Sequence, residues 1–459
     1  MAERQESRLK RNLTFWNLMG VAIGQIIGAG IMTMTGTAIG MTGTGVALAF
    51  MISPVLTLIT DFPQGILSSC APAVGGPYKY VSRLLDKRFG FLYIVLFIIS
   101  SSTLSLYALS FASYFVSLFT GMSQIFIAAV ILTVLFVVNI IGTKQAAVVN
   151  TIICAVMTGA ILAFAAFGLP KADFPYIFQT GHLFYKGVPN FMAALALLSF
   201  ATGGASVICQ LGGEAENPGR DIPLVMIIST VLVGIMYVLV ALVAVGVFPI
   251  DKVADQNLTI VAFEVLPRPV YYVFVIGAAL GATSSTLNAQ LSWVTKPLIV
   301  ACEDGLLPKS LATVTERGVA WKILTVFYVL GMGPILTGFD LGFISSRAKL
   351  STSVSLLQKV LVLASLWFLA SKYPQCVGRT KLKIPVSLYR PWSVLGAVTA
   401  VVLASSLLAS MPKQSVILLL GVLAVSWIYA CAGLKKKEIP QDLDVDYIGG
   451  SQKKKESEK

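Results

Sequence analysis

Nothing constrains this chain more than its long apolar stretches in which no charge occurs. Between positions 15 and 39, and again between 188 and 212, not one Asp, Glu, Lys or Arg interrupts the run. Each exceeds the ~20 apolar residues that a helix needs to cross roughly 30 Å of hydrocarbon. About twelve such spans can be laid along the sequence, near 15–39, 44–70, 90–119, 122–142, 146–168, 188–212, 224–248, 270–301, 320–338, 349–370, 391–411 and 414–433. In lipid every backbone N–H and C=O must find its partner inside the protein, which leaves only helices and closed barrels. Barrel strands would read as short alternating segments. These runs are long and continuous, so the expectation is an all-α integral membrane protein of about 12 transmembrane helices. Composition agrees: 56% hydrophobic and 12% charged residues, at a mean hydropathy of +0.83, leave too little polar surface to cover a soluble globule.

The formal charge of +13 raises the possibility of a nucleic-acid partner, and its distribution argues against one. With the N-terminus inside, Arg4, Arg8, Lys10, Arg11, Lys79, Arg83, Lys87, Arg88, Lys372, Arg379, Lys381, Lys383, Arg390 and Lys435 to Lys437 fall on a single side. About 25 basic residues gather there against about 7 opposite, which places both termini in the cytoplasm by the positive-inside rule. On this topology none of the six cysteines sits in an outer loop, and no disulfide is expected. The first apolar run is too long for a cleaved signal peptide. His182, the one histidine, reads as a solvated outer-loop residue, and no metal or other cofactor is expected. Asn257-Leu258-Thr259 is a weak glycosylation signal.

Two of the spans carry glycines where a helix should be strongest. The first reads IGQIIGAGI, with Gly24, Gly28 and Gly30, and the sixth reads LLSFATGGAS, with Gly203 and Gly204. Glycine costs a helix about 1 kcal/mol relative to alanine, so its use at mid-membrane signals close packing or local unwinding. Opened backbone at that depth must line a cavity or be buried in protein. Spans one and six run in opposite directions, which is the pattern of an inverted-repeat transporter with substrate held between broken helices. A break exposes N–H groups suited to a carboxylate and C=O groups suited to an ammonium. A zwitterionic amino acid matches both.

These motifs resemble the amino acid-polyamine-organocation superfamily of transporters. The resemblance runs over most of the chain: GQIIGAGI, then PAVGGPYKYVSR at 72–83, FATGGAS with EAENPGRDIP at 214–223, and KPLIVACEDGLLP at 296–308. It implies an inverted 5+5 repeat of the LeuT-like kind with helices 1 and 6 broken. The parts would be a cytoplasmic segment 1–14, a ten-helix core 15–370 (repeats about 15–168 and 188–370), two added helices within 371–433, and a basic cytoplasmic tail 434–459. It further implies that Gly28, Ala29 and Gly30 offer N–H groups to a substrate carboxylate, and that carbonyls of Ile26, Ile27 and Phe200 receive its amino group. Phe200 would close over the substrate, with Gly203 and Gly204 forming the second break. Thr202, Ala205 and Ser206 would face the substrate side chain, and because all three are uncharged a neutral amino acid is favoured over a cationic one or a polyamine.

The same resemblance frames coupling. Many proton-coupled relatives carry a lysine midway along span five, where this chain has Met157. Thr283, Ser284 and Ser285 on span eight lie where sodium-coupled relatives use hydroxyls, although such hydroxyls commonly bond the preceding turn. Exchange or facilitated passage, independent of sodium, is therefore favoured. Asp61 and Lys359 are intramembrane charges, costly and suspect by default. Asp61 could carry a proton or pair with a lysine and stiffen the scaffold, and the second is preferred. Glu214 and Glu216 are read as part of a polar turn that Lys79, Arg83 and Asp304 help to hold. Partners are thus an amino acid, the bilayer of the cell membrane, and no nucleic acid. A single-span accessory subunit, if attached, would not be disulfide-linked. A channel, or a sensor that binds an amino acid without moving it, is the rival outside this class.

Overall fold

The computed structural model describes residues 13–119, 121–141, 146–213, 215–315, 319–337, 341–377, 384–434, 439, 440 and 443. Arg4, Arg8, Lys10, Arg11, Glu214, Arg379, Lys381, Lys383, Lys435 to Lys437 and most of the tail lie outside the described residues. The principal helices are α1 (Phe15–Ile26), α2 (Ala29–Thr42), α3 (Val46–Cys70), α4 (Gly76–Leu84), α5 (Lys87–Ser101), α6 (Leu104–Leu118), α7 (Gln124–Ile141), α8 (Ala146–Gly168) and α9 (Val188–Thr202). They continue with α10 (Pro218–Val247), α11 (Gly281–Trp293), α12 (Thr295–Glu303), α13 (Trp321–Leu336), α14 (Leu341–Lys372), α15 (Tyr389–Ala409) and α16 (Lys413–Gly433). Ten helical stretches among the described residues are long and apolar enough to span a bilayer. Two shorter apolar helices, α9 and α13, occupy the places expected for the sixth and ninth spans.

Local chemistry accounts for several boundaries. Thr14 caps α1 in a reciprocal box with Asn17, and Asp86 caps α5 by accepting from the Arg88 N–H at 2.8 Å, so orphan donors are satisfied. Within α3, Pro63 has no N–H for the carbonyl of Ile59. The Trp392 indole of α15 supplies that bond instead at 3.0 Å, tying α3 to α15. Gly234 of α10 lets that helix approach α3, since a Cβ there would lie 2.5 Å from Pro54 Cγ.

Two features of the helices differ from expectation. The third span is not continuous: α5 ends at Ser101 and α6 begins at Leu104. The run Ser100-Ser101-Ser102-Thr103 explains it, because hydroxyls compete with the helix for carbonyls. Ser102 Oγ bonds the Ile98 carbonyl at 2.6 Å. Neighbouring side chains take the carbonyls set free: Gln290 Nε2 donates to Ser101 at 2.5 Å, Arg347 to Ser102 at 3.0 Å, and Ser351 Oγ to Ser100 at 2.6 Å. The eighth span likewise contains a π-helical stretch, Phe274–Leu280, ahead of α11, a widened turn of the sort that accompanies functional sites.

At the end of the molecule that carries α4, the loop before that helix turns at Gly75, whose φ of +62° favours glycine. Arg83 and Asp304 pair with each other there, at 2.8 and 2.7 Å through two nitrogens, and both side chains are only 4% exposed. Tyr78 Oη donates to the same carboxylate at 2.6 Å. The bidentate guanidinium–carboxylate fit engages the two residues with each other, while Glu214, their expected partner in the turn after the sixth span, lies outside the described residues. Glu216 of that turn instead donates its backbone N–H to the Leu13 carbonyl at 3.0 Å. Burial opposes the Arg83 cation, but its hydrogen bonds to Asp304 and that residue's charge outweigh it and raise the pKa. Burial, aided by the same carboxylate, raises the Tyr78 phenol far above its usual range, so it remains a donor.

Because one half of a buried pair left alone is an uncompensated charge, Asp304→Ala should lower stability by about 3–5 kcal/mol. The double variant Arg83→Leu/Asp304→Ala should recover a large part of that loss. Thermal unfolding midpoints of the detergent-purified proteins measure both.

Candidate functional site

The two glycine-marked interruptions are present and face each other. Helix α1 ends at Ile26 and α2 starts at Ala29 with Gly28 as an N-cap that lacks any side-chain hydrogen bond. The first N–H groups of α2 therefore have no partner within the helix. Helix α9 stops at Thr202, Gly203 and Gly204 are extended or irregular, and a 3-10 turn, Ala205–Gln210, follows. The inner half of the sixth span is thus a tight six-residue turn, where a half-helix was expected. A Cβ on Gly204 would lie 2.9 Å from the Gln25 carbonyl and from the Ile26 nitrogen, so only glycine lets the second break touch the first.

Beside these breaks lies a cavity of about 160 Å³, an order of magnitude more than one water needs. Its wall comes from α1, α3, the α5–α6 junction, the second break, α11 and α14. Phe200, Gly203, Gly204 and Ser206 line it, together with Gln25. Asp61 and Lys359 line it too, joined at 2.5 Å across the gap from α3 to α14. They are its only charged residues among the described ones, so the cavity mixes polar and apolar groups and carries no net charge.

Other expected site residues are placed elsewhere. Gly28 abuts α11, where a Cβ would lie 2.3 Å from Thr286 Oγ1, and Gly30 abuts α9, where it would lie 2.6 Å from the Ala201 Cα. Both glycines pack helices together, in addition to opening the backbone. The Ile26 carbonyl accepts from Tyr237 Oη at 2.8 Å. Thr202 Oγ1 pairs with Thr57 Oγ1 at 2.9 Å, and Ala205 is buried; neither lines the cavity, and nor do Ile26, Ile27, Gly28 or Gly30, while the Ala29 side chain lies outside the described residues. Met157 is fully buried in α8, which packs on α1 and α11. On α11, Thr283 bonds the Ala279 carbonyl at 2.8 Å and Ser284 that of Leu280 at 2.7 Å, the preceding-turn pattern. Ser285 is also buried there. His182 stacks near Tyr176, with centroids 4.4 Å apart, and no group of three metal-ligating side chains occurs among the described residues.

Sequence reading missed a large part of the wall: the glutamines at 25, 64, 210, 290 and 358 all line the cavity. Their one shared signal is a carboxamide inside an apolar span, where an unbonded polar group is costly. Three are occupied: Gln64 Nε2 donates to the Ser206 carbonyl at 3.1 Å, Gln290 bonds Thr103 and Ser101, and Gln358 accepts from Ser100 Oγ at 3.2 Å.

A model of the amino acid permease family matches residues 13–434. The chain is similar to the branched-chain amino acid permease BcaP of Bacillus subtilis, 25% identical over 392 residues that cover 77% of this chain and 82% of that protein. It is similar also to the cationic amino acid transporter 1 of Arabidopsis thaliana, 26% identical over 62% of this chain and 51% of that one. A third likeness is to the serine/threonine exchanger SteT of Bacillus subtilis, 27% identical over 51% of this chain and 55% of that protein.

The tight glycine contacts generate an expectation. Gly30→Ala must push α2 off α9 and should cost about 1–3 kcal/mol, as overpacking does. Gly159→Ala on α8, where a Cβ meets nothing within 4 Å, should leave the thermal midpoint unchanged or slightly raised.

Proposed function

The chain belongs to the amino acid permease family, and from that premise we propose a sodium-independent exchanger of neutral amino acids that works by alternating access in the cell membrane. It is a multi-pass membrane transporter and not an enzyme. The proposed architecture is twelve spans in an inverted 5+5 arrangement with α15 and α16 added, both termini cytoplasmic, and the cavity opening toward the α4 face. In this reading the unpartnered N–H groups at the start of α2 draw the substrate carboxylate, and carbonyls released at the end of α9, Phe200 among them, draw the ammonium. The substrate would then bridge the two breaks, and Phe200 would cover it as the outer half closes.

The observation that carries the reading is the self-neutralised cavity. Asp61 and Lys359 answer each other, so a cationic side chain would be stripped of water without a free counter-charge. The ion pair stiffens the link between α3 and α14, consistent with a structural role for Asp61. The absence of a lysine at Met157 and the preceding-turn bonds of Thr283 and Ser284 support exchange without a coupled cation. The name of one relative, a serine/threonine exchanger, also supports exchange. The cationic reading has a relative's name on its side, and lacks an unpaired acid in the cavity.

Counterflow in proteoliposomes tests this. Labelled alanine or leucine should exchange saturably with and without sodium or proton gradients, while arginine and putrescine should not. Lys359→Gln would leave Asp61 unanswered; a unit charge roughly 10 Å from a substrate, at an effective dielectric near 20, is worth about 1.7 kcal/mol. Competition by arginine relative to leucine should then rise by about tenfold or more. Equal handling of arginine and leucine by the parent protein would refute the neutral-substrate reading.

A further inference from the structure

Three polar atoms in the cavity wall have been left without partners. Gln25 Oε1 on α1, Gln210 Oε1 at the end of the 3-10 turn, and Trp293 Nε1 at the end of α11 are each buried and make no hydrogen bond. The whole Gln210 side chain is deeply buried, at 5% exposure. All three residues line the same cavity, while the three other cavity glutamines are satisfied by protein. A buried polar group without a partner costs about 1–3 kcal/mol. Three of them, on residues from three separate helical segments that line one space, mark a place where small side-chain rotations can make bonds to something that comes and goes.

The chemistry of the three is complementary. The indole N–H can only donate, and a carboxamide can accept through oxygen or donate through nitrogen after a flip about its terminal torsion. An apolar side chain brought into this space would leave all three orphaned. A hydroxyl or a carboxamide, which both donates and accepts, would answer at least two of them. A carboxylate would find donors but would add net charge beside Asp61, and an ammonium would add it beside Lys359.

We propose that Gln25, Gln210 and Trp293 form a side-chain subsite that selects amino acids with hydroxyl or carboxamide side chains over their aliphatic isosteres. The inference rests on the neutral amino acid reading above and narrows it. The backbone breaks hold the α-carboxylate and α-ammonium common to every substrate, and these three side chains read what differs. Gln210 leads the set, because it is the most buried of the three and belongs to the turn that the Gly203–Gly204 break creates. Trp293 presents its N–H beside Phe97, with ring centroids 5.9 Å apart in an edge-to-face contact that fixes the indole plane.

Isosteric pairs isolate the polar group: threonine against valine, asparagine against leucine, glutamine against methionine. In proteoliposome counterflow, with competition by each unlabelled amino acid, the polar member of a pair should win by roughly tenfold, the value of one or two net hydrogen bonds. Gln210→Leu, which keeps the volume and removes the carboxamide, should bring the threonine-to-valine ratio close to one, and Trp293→Phe should reduce it by several-fold. Should Gln210→Leu fail to elute as a monodisperse protein, Trp293→Phe and Gln25→Met carry the same test. Ser53→Ala, which removes another orphaned buried hydroxyl outside the cavity, should leave the ratio as in the parent. Preference for valine, leucine and methionine, or a threonine-to-valine ratio indifferent to all three subsite variants, would overturn the subsite and leave the exchanger reading standing. Absence of exchange with every amino acid would overturn that reading as well.

Discussion

The structure depends on one constraint: a helix that stops inside an apolar region must hand its unpaired amide and carbonyl groups to another part of the protein. Each interruption meets it differently. At the first break Tyr237 reaches from α10 to the Ile26 carbonyl, and no side chain caps the opening N–H groups of α2. At the serine run in the third span the carbonyls are answered in full by side chains of α11 and α14. Side chains close the second of these interruptions and leave the start of α2 uncapped at the first. The difference lies in whether a neighbouring side chain is long enough to reach.

Around those breaks the protein assembles a space that is polar without being charged. Burying Asp61 and Lys359 singly would be costly, and burying them together at 2.5 Å keeps the cavity neutral while tying α3 to α14. Glutamines then supply hydrogen-bonding capacity with no charge to compensate. In the proposed exchanger such a cavity would discriminate by hydrogen-bond count more sharply than by size, because a hydrogen-bonding site rejects a partner that leaves its groups unpaired. The Arg83–Asp304–Tyr78 cluster is built on the opposite plan: its charges are fully matched, and it joins α4 to the end of α12 as a fixed strut.

The breaks at 27–28 and 203–204 were legible because glycine in the middle of an apolar span has few explanations. Their second purpose was not. That Gly30 presses on Ala201 and Gly28 on Thr286 depends on which helices become neighbours. The serine interruption at 102–103 was present in the letters, yet Ser-rich stretches also occur in unbroken membrane helices, bonding to their own preceding turn as Thr283 and Ser284 do. Only Gln290, Arg347 and Ser351, arriving from 189 to 251 residues away, decide the outcome. The pairing of Arg83 with Asp304 is decided in the same way: the two lie 221 residues apart, and sequence order does not rank such distances.

What the sequence determined alone is a membrane-embedded, all-helical chain with two backbone openings in separate apolar spans. Hydrophobic run length and the cost of glycine act locally, within one turn or one span. Tertiary structure decided the rest: that Phe200, Asp61 and Lys359 share a cavity, that Thr202 bonds Thr57 away from it, and that Gln210 and Trp293, each with one buried polar atom unbonded, line it. Those facts are distances between segments far apart in the chain, set by how whole helices pack, and no local preference encodes them.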